Sequence, residues 1–464
     1  MTHGDASDWE EYLTSLAAFG MRPGLERVVA LLTALGRPQD KFSAVHVVGT
    51  NGKSSTTRYT AAILQAHGLR SGAYLSPHIN GFSERVLIDG QPIAAASFGR
   101  SVETVRGEVA KLPAELGETT QFEVLTVAAL LAFAEAGVQV AAIEAGLGGR
   151  LDATNVLDAP VVVLTNIALE HTVVLGATRE LIFAEKAAVI KGGDAVFGIL
   201  DGLEDEARQA CSAAGARPYF LGRDVTVRGR SHDFEVRTPG GRYKGLSVPS
   251  EALYQLANAA LAVTAAGLLL GGRLDEAAVR SALAATAVPG RLQLIGHKPT
   301  MFADGAHNPD GVRTLLASLS MISWPRPHVA VLAMMRDKAF TEMLKALVPQ
   351  LDAVVCTQAS EPRSLAAGEL AGAVSAAVTW ASDRTAGETA ANSGRASRWR
   401  FAGDSRSRVA NASRSRSAHV EAVADAHAAV DRARTLAGAR GSVLIAGSLY
   451  LLEDLSDLLS AAPA

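Results

Sequence analysis

The chain has 464 residues, of which 48% are hydrophobic and 20% charged, with a formal net charge of -3 at pH 7. This length exceeds one ordinary core and implies two domains, while the slight acidic balance excludes a nucleic-acid-coating surface, which needs a broad cationic face to displace counterions from phosphates. Two cysteines, Cys211 and Cys356, give neither a disulfide framework nor metal-ligand spacing, and acids stand at the N-terminus (MTHGDASDWEEYL) where a signal peptide needs basic residues, so the expected setting is cytoplasmic, with no membrane partner.

In chain order, short helices are expected from about Asp8 to Leu35, around MRPGLERVVALLTAL. FSAVHVV is a short β-branched strand that runs into the glycine loop GTNGKSS, and a helix follows. A second strand is expected near RSGAYLS, then a polar, turn-rich stretch PHINGFSERVLIDGQPI, a helix FGRSVETVRGEVAKL and a long apolar helix FEVLTVAALLAFAEAG. VQVAAIEAGLGGR and APVVVLTNIALEH are nearly continuous apolar runs ending in Gly or polar residues, the pattern of parallel strands buried on both faces. Alternation of strand and helix makes an α/β fold with a mostly parallel sheet the expected class. VTVRGRSHDFEVRTPGGRYKGL alternates polar residues around a PGG turn and predicts a small antiparallel side sheet. In VPGRLQLIGHKP, Pro and Gly bracket Arg291, and the domain boundary is placed here, giving residues 1–294 and 295–464. The second domain, with strand-plus-loop units TMFADGAHNPDGV, HVAVLAMM and LDAVVCTQ and a final GSVLIAGSLYLLEDL, reads as a smaller doubly wound, Rossmann-like sheet. Residues 382–419, rich in Ser, Arg, Ala and Gly without apolar period, read as a disordered surface insertion; a phosphorylatable or RNA-binding Ser/Arg tract is the sharper alternative, which the acidic whole does not support.

The pattern GxxxxGK[ST] of a phosphate loop would place its first glycine at Val47. Only Gly52, Lys53 and Ser54 match, and Gly49 supplies a second flexible point. The physical requirements are still met: inward backbone N–H groups, a lysine for the β- and γ-phosphates, a hydroxyl near the metal and a helix N-terminus behind them. A plain glycine turn between strand and helix is the bland reading. Glu144, at the end of the next parallel strand, stands where a Walker B carboxylate would, or serves as a strand-end salt-bridge partner. Glu170 and His171 end the strand after that. Ligands collect at the carboxyl ends of parallel strands, so Lys53, Glu144 and His171 reinforce one another.

GTNGKS, SPH at Ser76–His78, TQFE at Thr120–Glu123, EAGLGGRLDATN from Glu144, LEHT, EKAAVIK from Glu185, PGRLQ and DGAHNP occur in an order that resembles the folylpolyglutamate synthase and dihydrofolate synthase family, relatives of the Mur peptidoglycan ligases. The resemblance is dense from about Gly24 to Pro309. It implies a P-loop, Mur-ligase-type ATP-binding domain followed by a Rossmann-like ligase domain. The implied reaction is the ATP-dependent joining of a carboxylate, on dihydropteroate or a reduced folate, to the amine of L-glutamate through an acyl phosphate. It also implies Mg2+ (two ions), a monomer, and no nucleic-acid or membrane partner.

Residue by residue, the resemblance places Thr50, Asn51, Gly52, Lys53, Ser54 and Ser55 on the triphosphate and makes Ser76, Glu144 and His171 metal ligands. Lys186 matches the lysine that the family carbamylates; otherwise it is an ordinary cationic helix residue. Lys53, Glu144, His171 and Lys186 form the implied catalytic set. Asn258, Arg291 and Asp304 match ATP contacts, and His307 shares the last one's loop. Arg22, Pro23 and Gly24, then Thr120, Gln121, Phe122 and Glu123, then Leu151, Asp152 and Ala153 fall at pteroate-side positions. Arg85 either meets an anionic substrate or is a solvated loop charge. ATP clamped between two domains would be closed off from water. Ser54 stands where the family has Gly, so Ser54 or Ser55 is the hydroxyl near the metal. Glu170-His171 replaces Asp-His, and VVLG replaces an acidic, aromatic stretch. The nearest alternative is a Mur-type ligase acting on a nucleotide-linked cell-wall precursor. Such enzymes carry a separate N-terminal domain, for which the chain before Gly49 is too short.

Overall fold

The computed structural model describes residues 8–16, 22–78, 81–387 (backbone only from 382) and 418–460. Two units are formed, one of Met1–Val227, His232–Val248 and Gln255–Thr286, the other of Arg228–Ser231, Pro249–Tyr254 and Ala287–Ala464. The first is built on strands β1 (Ser43–Val48), β2 (Ser71–Tyr74), β3 (Val86–Ile88), β4 (Gln91–Pro92), β5 (Val140–Glu144), β6 (Val161–Asn166), β7 (Asp194–Ile199) and β8 (Arg217–Phe220). Their order is β4-β3-β2-β5-β1-β6-β7-β8. Only β3 and β4 join antiparallel. This hairpin lies in the stretch expected to be turns: VLI and QP are too short to show a period of their own, and they are strands through pairing alone, β3 with β2 and β4 with β3.

The mostly parallel sheet follows from its residues. Alternate side chains of β1 and β6 go to opposite faces: Val45, Val47, Val161 and Val163 pack on Leu261 and Ala265, whereas Val48, Val162 and Leu164 pack with Ile182 and Phe183. Burial on both faces is why these runs are apolar without alternation. Each such side chain removed from water contributes about 1.5–3 kcal/mol. A small three-stranded sheet follows, in the order β11-β10-β9, from β9 (Thr226–Arg230), β10 (Asp233–Thr238) and β11 (Gly241–Leu246); β10 and β11 are antiparallel.

The second unit carries β12 (Gln293–His297), β13 (Thr300–Asp304), β14 (His328–Leu332), β15 (Ala353–Cys356), β16 (His419–Ala422) and β17 (Ser442–Ala446), in the order β12-β13-β17-β14-β15-β16. All pairs are parallel except β12 with β13. The helix Ala367–Gly387 extends into the Ser/Arg-rich stretch, and His419 opens β16. Most of the predicted insertion, residues 388–417, lies outside the described residues. Among those described, no helix is long and apolar enough to cross a membrane.

Candidate active site

β1 lies between β5 and β6, with Val47 level with Glu144 and Val48 level with Leu164. The loop that leaves β1 is thus flanked by two carboxyl-terminal strand ends, the place where open α/β sheets bind ligands. Two glycines make the loop possible. A Cβ at Gly49 (φ +146) would stand 1.9 Å from Thr165 Oγ1, and one at Gly52 (φ +84) would stand 2.4 Å from Asn258 Oδ1. No other residue combines these dihedrals with this closeness. Asn166 fixes the loop from the side of β6: its carbonyl accepts the Thr50 N–H at 3.1 Å and its Oδ1 accepts the Asn51 N–H at 2.8 Å. The helix Lys53–Ala66 then starts from Gly52.

Two ammonium groups converge on one carbonyl. Lys53 Nζ donates to Gly49 O at 3.2 Å and Thr50 O at 3.0 Å, and Lys186 Nζ donates to the same Gly49 O at 2.9 Å. Burial, followed by the charge of Lys53, lowers the pKa of Lys186 to about 7. Opposite them, the buried Glu144 accepts from Ser54 Oγ at 3.0 Å and from the Ser76 N–H at 3.1 Å. Of the two serines left open by the sequence, Ser54 reaches this carboxylate. Ser55 is buried and its hydroxyl has no hydrogen-bond partner in the protein. His171, beyond the end of β6, is exposed, adopts a left-handed φ of 51° and lies 3.9 Å from Glu170. A positive φ at a non-glycine residue costs energy and clusters at functional sites.

The donors fit a hard divalent cation that arrives with phosphate. One buried carboxylate with a hydroxyl on it is a sparse oxygen set, and Mg2+ is held by such a set when the nucleotide completes its shell. Among the described residues no group of three or more His, Cys, Asp or Glu side chains converges on a metal position.

Asn258 Nδ2 donates to Gln255 Oε1 at 2.9 Å, which fixes the amide over Gly52. In the second unit, Arg291, Asp304 and His307 gather at the end of β13. The buried Asp304 carboxylate accepts from Tyr254 Oη at 2.6 Å and from the N–H groups of Leu292 and Ala306 at 2.8 Å each. Burial raises its pKa, against the pull of Tyr254 and Arg291. Asp304 therefore holds the turn that presents Arg291, and His307 Nδ1 lies 2.8 Å from Gly305 O in the same loop.

The three segments that the resemblance assigns to the pteroate form a second cluster. A Cβ at Gly146 would meet the Phe122 ring at 2.5 Å, so the loop after β5 lies on that ring, and the Tyr74 ring packs against it with centroids 6.2 Å apart. Leu151 is 49% exposed, while Asp152 and Ala153 are buried. Thr120 and Glu123 close a capping box on the helix Gln121–Glu135, and Gln121 Nε2 donates to Leu13 O. Arg22 Nη1 reaches Glu118 O, and Pro23 leads into Gly24, whose φ is +126°. Arg85 is buried, not solvated, and donates to His78 Nδ1 at 2.8 Å.

Arg27 is the residue that sequence reasoning missed here. Its guanidinium pairs with Glu123 at 2.8 Å and donates to Arg22 O at 3.0 Å and Leu116 O at 3.2 Å. One buried cation thus ties three segments together and occupies the Glu123 carboxylate. Arg27→Met is expected to cost about 3 kcal/mol in chemical denaturation, because it strands a buried carboxylate. A loss below 1 kcal/mol would show that the pair is not holding these segments.

A phosphate-type loop on a parallel sheet, an acid at the next strand end and a second doubly wound unit define a nucleotide-binding ligase of the Mur type. The Mur ligase middle domain matches residues 47–266 and the Mur ligase glutamate ligase domain matches residues 290–397. The chain is 37% identical over 370 residues to the dihydrofolate synthase/folylpolyglutamate synthase of Mycobacterium tuberculosis, covering 74% of this chain and 76% of that one. The structure of the M. tuberculosis folylpolyglutamate synthase complexed with ADP and AMPPCP matches with a TM-score of 0.84 at 31% identity, over 98% of this chain and 100% of that one. E. coli FolC in complex with DHPP and ADP gives 0.81 at 28% identity, over 98% and 97%. The bifunctional folylpolyglutamate synthase/dihydrofolate synthase of Yersinia pestis, complexed with AMPPNP and a Mn ion, gives 0.79 at 29% identity, over 97% of both chains. The chain belongs to the dihydrofolate synthase/folylpolyglutamate synthase family of ATP-dependent amide ligases.

Proposed function

We propose that the protein joins L-glutamate to the carboxylate of dihydropteroate or of a reduced folate, with ATP as the phosphoryl donor. The observation that carries this reading is the convergence of Lys53 and Lys186 on Gly49 O beside the Ser54–Glu144 pair. A carboxylate repels nucleophiles. When its oxygen takes the γ-phosphoryl group and the bond to ADP breaks, the charge is lost and a leaving group is gained. The glutamate amine then forms the C–N bond, gives up a proton, and phosphate departs. Transfer of this kind needs positioning and charge neutralisation more than covalent help.

In this reading the loop Thr50–Ser55 cradles the phosphates, Lys53 neutralises them, and Asn258, Arg291, Asp304 and His307 serve the nucleotide directly or by support. Glu144, His171 and Ser76 would hold divalent metal, which supplies further neutralisation of phosphate charge; two ions and a carbamate on Lys186 belong to the reading. Phe122 and Leu151 offer apolar surface to the pteroyl group, while Thr120, Gln121, Glu123, Asp152, Ala153 and the turn Arg22–Gly24 frame it. A cytoplasmic monomer without nucleic-acid or membrane partners suits the low net charge. The test is phosphate release from Mg-ATP with dihydropteroate or a reduced folate, expected only when L-glutamate is added. Release without glutamate, or release driven by a UDP-muramoyl substrate, overturns the assignment.

A further inference from the structure

His46 lies inside β1, level with Ile143 of β5, and is 1% exposed. A polar ring in the middle of an apolar strand is costly unless it is hydrogen-bonded. Its Nε2 lies 2.8 Å from Thr154 Oγ1, and the Thr154 hydroxyl donates in turn to Asp152 Oδ1. The single hydroxyl proton is spent on the carboxylate, so the imidazole Nε2 carries the proton of the first bond. Burial, with Lys191 nearby, lowers the pKa of His46 to about 3, in keeping with one neutral tautomer.

Asp152 is the hub of the loop after β5. Oδ1 also accepts the Thr154 N–H at 3.0 Å, and Oδ2 accepts the Leu147 N–H at 2.8 Å. Both carboxylate oxygens are therefore engaged within the loop. The relay His46–Thr154–Asp152 connects that loop to β1, the strand that delivers the phosphate loop.

We propose that His46 and Thr154 are positioning residues: through Asp152, which holds the Leu147 N–H, they set the loop Gly146–Ala153 with Gly146 against Phe122 and so fix the bed of the pteroyl group. The proposal rests on the reading of this loop as the pteroate side of the site. A bridge of side chains locked by mutual hydrogen bonds is what holds a binding loop within a fraction of an ångström. Thr154→Val keeps the shape and deletes the hydroxyl, leaving the His46 donor buried and unpaired.

The experiment measures KM for dihydropteroate, KM for ATP and direct dihydropteroate binding in the full-length wild type, Thr154→Val and Thr154→Ser. Thr154→Val is expected to raise KM and Kd for dihydropteroate about tenfold, with KM for ATP within about twofold, and Thr154→Ser to restore the wild-type values. His46→Leu, which suits an apolar strand, is the second variant and is expected to shift the same constants in the same direction. A soluble Thr154→Val or His46→Leu protein with wild-type dihydropteroate constants overturns the positioning role, even if its Tm falls. A parallel rise in the ATP and dihydropteroate constants overturns it too. A wild type that binds no dihydropteroate sinks the functional reading and the proposal together, whereas wild-type binding with unaffected variants sinks the proposal alone.

Discussion

Replacement of Lys53 by alanine is expected to lower kcat/KM about a thousandfold while leaving Tm within a few degrees of wild type. The rate effect follows from what the ammonium can reach. It sits at the first turn of a helix, tethered only to the carbonyls of Gly49 and Thr50, so it can swing onto an incoming phosphate without disturbing the core. Preorganised charge aimed at a transferring phosphoryl group contributes about 10²–10³ in rate per group, and more where the nucleotide also loses affinity. The stability effect is small for the same reason. Lys186 still meets the Gly49 carbonyl, and the loop remains pinned by Asn166. Phosphate release in the glutamate-dependent assay, with a melting curve on the same sample, checks both halves. A variant that turns over at the wild-type rate would show that the loop has another role.

The parts of this molecule that were legible in its sequence are those with local causes. β1, β5 and β6 show as β-branched runs because both their faces are buried, and the loop shows because Gly49 and Gly52 sit where only glycine fits. Glu144 could be placed near it because parallel strands end on one side, and Ser54 meets it there. What stayed hidden depends on contacts far along the chain. Arg27 and Glu123 are 96 positions apart, and His46 and Thr154 are 108 apart. Two weak signals were present: T-x-x-E at Thr120–Glu123 is a capping box, which makes Glu123 structural before it is functional, and His46 is an imidazole in the middle of an apolar strand. Which of Ser54 and Ser55 reaches Glu144 was closed to the sequence because adjacent helix positions differ by about 100° in direction, and the placement of β5 brings the carboxylate to Ser54.

Lys186→Met is expected to lower kcat/KM about a thousandfold and to stabilise the protein more at pH 6 than at pH 9 in the absence of nucleotide and divalent metal. The sign follows from linkage. The folded pKa, about 7, is below the ordinary lysine value of 10.5, chiefly through burial and then through Lys53, with Glu170 and Asp152 pulling the other way. Between pH 7 and 10.5 the unfolded chain holds more protons at this lysine than the folded protein does, so its contribution to stability rises with pH across that window. Below pH 7 the lysine is charged in both states, and the folded protein carries the full cost of a second cation beside Lys53. Methionine has a similar length and no charge, so the variant lacks this slope and gains most in acid. Tm measured across pH 6 to 9 reads the difference directly, and a difference that does not change with pH would mean that Lys186 is not held as a strained charge. The same depressed pKa leaves a sizeable neutral fraction near pH 7. A neutral amine can add CO2, forming an N–C bond and releasing a proton, which would turn a repelling cation into an anion beside the phosphate site. Activity that falls when CO2 is stripped from the buffer and returns with bicarbonate, in wild type but not in Lys186→Met, is the expected signature of that change of sign.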